Sequence, residues 1–91
     1  MADRGMETSA QTASVREQLA IALEILDNPG GGLVFGYQAL GQARSRLAEL
    51  DADRFQAVIQ QLDEAERQAI WRNFGRAQEI ISEALIGLAA A

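Results

Sequence analysis

Five groups of side chains in this sequence have the types and spacing from which chemistry is built. They are the carboxylate pairs Asp51/Asp53 and Glu64/Glu66, the pair Glu79/Glu83 one helical turn apart, the run from Asn28 and Pro29 through Gly30, Gly31 and Gly32, and the cluster Trp71, Arg72, Asn73, Phe74. Paired carboxylates do acid–base work when their environments drive their pKa values apart. Asp51, Asp53, Glu64 and Glu66 all fall at expected helix starts, where capping and the helix dipole account for a carboxylate without any catalytic role. A helical di-metal site needs several inward Glu residues together with Glu-x-x-His pairs. The chain has no His, and Glu79 and Glu83 lie off the apolar stripe of their segment beside Arg72 and Arg76, which reads as a solvated charge ladder. The glycine run precedes a helix start, a place where backbone N–H groups bind anions. It follows a helix rather than a strand, however, and no Gly-Lys-Ser/Thr comes after it, so it reads as an interhelical turn.

The inventory is short in other ways. There is no Cys and no His, and all eight basic residues are Arg. Nucleophile–base pairs built on His or Cys, Schiff bases on Lys and the phosphate-loop lysine are therefore closed to this chain. Neither a metal nor a cofactor is expected, and the chain does not read as an enzyme. What remains is recognition. Trp71 beside Arg72 is the composition of an interface anchor, or else of a core-edge Trp that shields the interior. Phe35 and Tyr37, next to the glycine turn, pose the same choice, since one narrow face does not bury both. Leu85 and Leu88, in the apolar C-terminal stretch, complete the candidate interface residues.

Ninety-one residues make a single domain, and 48% apolar composition suffices for a core. Small chains bury a smaller share of their surface on folding. Without disulfides, oligomerisation or partner binding is the remaining remedy. The net charge of −5 repels phosphate backbone, so nucleic acid is not expected as a partner. The Ala- and Arg-rich, Lys-free composition reads as coding from a GC-rich bacterial or phage genome. No signal-peptide run and no apolar stretch of membrane-spanning length occurs. The expected setting is the cytoplasm, with no membrane partner.

These side chains must be positioned by helices. Residues 1–13 are small and polar without periodicity and predict a disordered tail. Ser14 and Glu17 match a capping box. Behind them Val15, Leu19, Ala22, Leu23 and Leu26 share a face, widened by Ile21 and Ile25, until Pro29 ends the helix. A second helix runs from about Leu33 to Leu50 on Leu33, Gly36, Leu40, Ala43, Leu47 and Leu50. Gly36 and Gly41 either let another helix approach closely or mark a frayed first turn. A third helix is expected after Asp51, Ala52 and Asp53, on Phe55, Val58, Ile59 and Leu62. Ile70, Phe74, Ala77, Ile81, Ala84 and Leu88 define a fourth. A break near Leu62 and Asp63 separates the two, because an unbroken stripe buries Glu66 and Asn73; the alternative is one long rod from Asp51. The expected fold is all-α: an antiparallel bundle of three or four helices, the C-terminal one longest, with residues 14–91 as its single domain.

The function this implies is a non-catalytic protein–protein interaction module of the adaptor, chaperone-like, regulatory or inhibitory kind. Its expected partners are a second copy, giving a homodimer, and a heterologous protein. Two alternatives are an acidic protein that blocks a nucleic-acid-binding site by charge mimicry and a non-catalytic subunit of an enzyme or secretion assembly. A membrane-surface role for the C-terminal helix ranks below these, because that helix lacks a basic polar face.

Overall fold

The computed structural model describes the backbone of residues 2–90 and the side chains of residue 10 and of residues 12–90. The chain folds into four α-helices: α1 (Ala2–Asp27), α2 (Leu33–Asp51), α3 (Gln56–Ile70) and α4 (Phe74–Ala90). Each helix contacts the next along the chain and α4 returns against α1, so the four close into a ring. The register of every neighbouring pair is antiparallel. A Cβ placed on Gly36 of α2 would lie 3.2 Å from Ile25 of α1, and one on Gly87 of α4 would lie 3.6 Å from Val58 of α3. The Tyr37 hydroxyl donates to the Ala69 carbonyl at 3.3 Å, and the Gln78 amide donates to the Leu23 carbonyl at 3.3 Å. The result is an up-down-up-down bundle measuring 45 × 20 × 18 Å.

The core follows the apolar spacing. Val15, Leu19, Ala22 and Leu26 come from α1, and Ala39, Leu40, Ala43 and Leu47 from α2. Val58, Leu62, Ala65 and Ala69 come from α3, and Ala77, Ile80, Ile81, Ala84 and Leu88 from α4, with Phe55 closing the α2–α3 end. Seven of these eighteen residues are Ala, which lets the helices approach closely and keeps the bundle slender. Among the described residues no polar or charged side chain is buried.

Three expectations require correction. α1 is helical from Ala2, so the expected disordered tail over residues 1–13 is helix from residue 2 onward, and Ser14 lies inside α1 rather than at an N-cap; Met1 itself is outside the described residues. Residues 2–13 contain no Pro and one Gly, so extending a helix already anchored by Val15 and Leu19 requires no new nucleation. In consequence α1, with 26 residues, is the longest helix, and the C-terminal α4 has 17. Finally, α3 runs unbroken through Leu62 and Asp63 and ends at Ile70, so residues 51–91 hold two helices divided eight residues later than expected. The expected break rested on the cost of burying Glu66. Arg44 of α2 removes that cost by donating to Glu66 Oε2 at 2.5 Å and to Asp63 Oδ1 at 2.9 Å.

The turn that does end α3 is a Schellman motif. The Asn73 N–H donates to the Gln68 carbonyl at 2.9 Å and the Arg72 N–H to the Ala69 carbonyl at 3.0 Å. This requires a left-handed residue at Arg72, whose φ is 67°. The amide of Asn73 also donates to the Gln68 side chain at 3.0 Å, a polar contact where such turns usually carry an apolar one. At the other connections, Gly30 takes φ 47° beyond Pro29, and Asp51 Oδ1 accepts the Arg54 N–H at 3.1 Å. Asp51 therefore stabilises the α2–α3 turn rather than capping α3, which starts at Gln56 with Phe55 at its N-cap and no side-chain cap.

Candidate functional site

Because all neighbours are antiparallel, the α1–α2 and α3–α4 connections lie at the same end of the bundle. Four large apolar side chains gather there. On α2, Gly36, Ala39, Leu40, Ala43 and Leu47 face the interior, so at 100° per residue Val34 and Phe35 are turned away from it. On α3, Val58, Leu62, Ala65 and Ala69 face the interior, and Ile70 and Trp71, the next two residues, are rotated outward. Val34 is 54% exposed, Phe35 60%, Ile70 55% and Trp71 64%.

Of the residues singled out from sequence, Trp71 and Phe35 thus stand at this end with Arg72 between the α3 and α4 helices. Tyr37 is half-buried, and its bond to Ala69 ties the start of α2 to the end of α3 between the two exposed pairs. Phe35, not Tyr37, is the outward-facing member of that pair. Leu85 is half-buried against the core, and Leu88 is buried within it. Four residues after Ala84 and seven after Ile81, Leu88 continues the inner face of α4 and offers no surface, so it is removed from the interface candidates. Val34 and Ile70 are not among the residues the sequence singles out for an interface. The spacing places Ile70 on the inner stripe of a fourth helix, but the left-handed Arg72 separates its phase from that of Phe74. Ile86, also largely exposed, belongs to the opposite end.

The charges around this end differ from those elsewhere. The stretch from Arg67 to Gln78 holds Arg67, Arg72 and Arg76 and no carboxylate. Arg67 bridges to Glu64 at 2.9 Å and Asp63 at 3.0 Å, and Arg76 to Glu79 at 3.1 Å. No ion pair or hydrogen bond engages the side chain of Arg72 or of Asp27 at the end of α1, among the described residues.

Within the carboxylate pairs, Glu64, Glu66 and Glu79 are held by neighbouring side chains. Glu64 accepts from Arg67 and from Gln68, Glu66 from Arg44, and Glu79 from Arg76. Four carboxylates, Asp63, Glu64, Glu66 and Glu79, are engaged by guanidinium groups. Among the described residues no group of three or more carboxylates is placed to hold a metal ion, and no helix is long and apolar enough to cross a membrane. A shallow depression along α2, bordered by Gln38, Gln42, Arg46, Glu49 and Ile59, is open to solvent. Comparison with protein-family models, with curated proteins and with solved structures finds no match to this chain.

Proposed function

We propose that this protein is a non-catalytic protein–protein interaction module of the adaptor or regulatory kind, working through the bundle end that carries Val34, Phe35, Ile70 and Trp71. One observation carries this reading: four large apolar side chains, each more than half exposed, stand within one turn of the same end. Leaving such area in water forgoes about 25 cal/mol for each Å² that burial would remove. Large apolar side chains exposed together at one end of a small protein point to a contact site. Trp and Arg are the side chains most enriched among energetically dominant interface residues, and Trp71 and Arg72 stand side by side here. The partner is another protein chain, either a second copy or a different protein.

The test compares affinity capture by the wild-type chain with capture by the double variant Phe35→Ser/Trp71→Ser, after circular dichroism shows equal helicity. Proteins retained by the wild type and lost by the variant are the expected result. Equal recovery by both baits would refute the assignment of function to this end.

A further inference from the structure

We propose that a second copy of this chain covers the apolar end, forming an end-to-end dimer in which Asp27 of each copy meets Arg72 of the other. This rests on the interaction-module reading and specifies its occupant.

Charge selects the second copy and the end by which it docks. Two molecules of net charge −5 repel over most of their surface. Within one turn of the two connections, residues 24–36 and 67–77, the charged residues are Glu24 and Asp27 against Arg67, Arg72 and Arg76, and Arg67 and Arg76 are held by Asp63, Glu64 and Glu79 just beyond. The two sides of this end therefore carry opposite charge that the protomer does not pair, acidic beside the α1–α2 connection and basic at Arg72, and it is also where the large apolar side chains stand. Two acidic copies meet there with attraction between opposite sides and the largest gain from burial.

The order of helices supplies self-complementarity. The ring runs α1, α2, α3, α4, so the α1–α2 connection occupies one side of the end and the α3–α4 connection the other. A two-fold axis lying in the contact plane between these sides sets each connection against the opposite connection of the second copy. Val34 and Phe35 then face Ile70 and Trp71, and Asp27 faces Arg72. Arg72 on one side, and Asp27 with Glu24 on the other, are charges of opposite sign without a partner in the described part of the protomer, and Asp27 is the acid nearer the connection. Asp27 also sits in the last turn of α1, which holds no basic residue. A carboxylate there opposes the helix dipole until a cation arrives. Four half-exposed side chains of this size present roughly 400–500 Å² per copy, which places the dimer in the small, weak class of interface.

The experiment is sedimentation velocity of the full chain from about 5 to 500 µM, the range in which a weak interface of this kind associates. The expected result is a rise in mean mass from 9.8 kDa toward about twice that value. Arg72→Asp and Asp27→Arg should each weaken association about tenfold or more, and the double variant should recover most of the loss. Neither single change threatens the fold, since Asp tolerates the left-handed conformation and a cation suits the end of α1. A wild-type chain that stays monomeric throughout overturns the proposal, as does a double variant no better than either single one. If the chain is monomeric but still captures proteins that Phe35→Ser/Trp71→Ser loses, only the self-pairing is wrong. If capture is also indifferent to that variant, the interaction reading fails with it.

Discussion

Arg72 occupies a conformation that L side chains other than Asn and Asp rarely adopt, and it does so where a helix usually ends on Gly. The left-handed region costs a residue with a Cβ about 1 kcal/mol relative to Gly. Arg72→Gly should therefore raise the melting temperature by several degrees in thermal denaturation followed by circular dichroism, because a domain of this size gains about 4–8 °C per kcal/mol. An unchanged or lower melting temperature would mean that the guanidinium supports the fold through contacts beyond the ones described. At Arg44 the sign reverses. Its two amino groups hold Asp63 and Glu66, and Asp63 keeps Arg67, so Arg44→Ala leaves Glu66 without its cation at a half-buried seam. The expected loss is about 1–2 kcal/mol in urea denaturation, more than an exposed ion pair contributes. Adding Glu66→Gln to Arg44→Ala should return part of that loss. The two arginines are alike in type and opposite in role: Arg44 satisfies the protomer and Arg72 is held against its backbone preference.

At the scale of the helix, the two interior glycines of α2 separate packing from propensity. A Cβ on Gly41 would meet nothing within 4 Å, so Gly41→Ala should gain about 1 kcal/mol from helix propensity alone. A Cβ on Gly36 would press on Ile25 Cγ2 at 3.2 Å, so Gly36→Ala should gain less than Gly41→Ala or lose stability. Equal gains at both sites, measured by chemical denaturation, would show that α1 gives way at no cost. Gly36 is thus the close approach that its spacing suggests, and Gly41 is not. Much of this level was legible in sequence: the Pro29 break, the α2 boundaries and the inner stripes of α2, of α4 and of α1 from Val15 onward follow directly from periodicity. What was not legible depended on partners distant in sequence or on backbone conformation. Glu66 looked like a reason for α3 to stop because Arg44 lies 22 positions upstream. The actual stop depends on a left-handed Arg, for which residue type gives no warning. That misplaced boundary also hid Ile70, which lies on the inner stripe in the phase of a fourth helix and off it in the phase of α3.

For the whole molecule, the ring of four helices has one interior in which seven of eighteen buried residues are Ala, so the eleven larger ones carry most of the burial. Ile81, fully buried on α4, should lose about 2–5 kcal/mol on conversion to Ala, a large share of the 5–15 kcal/mol typical of a domain. Trp71→Ser removes a larger side chain from a site already mostly in water. It should shift stability by no more than about 0.5 kcal/mol, as surface changes usually do. The pair of melts separates the two kinds of apolar residue in this protein: those that hold the protomer together and those it leaves for something else. Trp71, the chain's one tryptophan, also reports its own fate. Its emission should be that of a solvated indole in dilute protein and should move to shorter wavelength as concentration rises, while Ile81→Ala leaves that shift in place wherever the variant remains folded. An emission already blue-shifted at the lowest concentration would mean the indole is sheltered within the protomer. In that case Trp71 belongs to the edge of the core, and the apolar end loses its central contact.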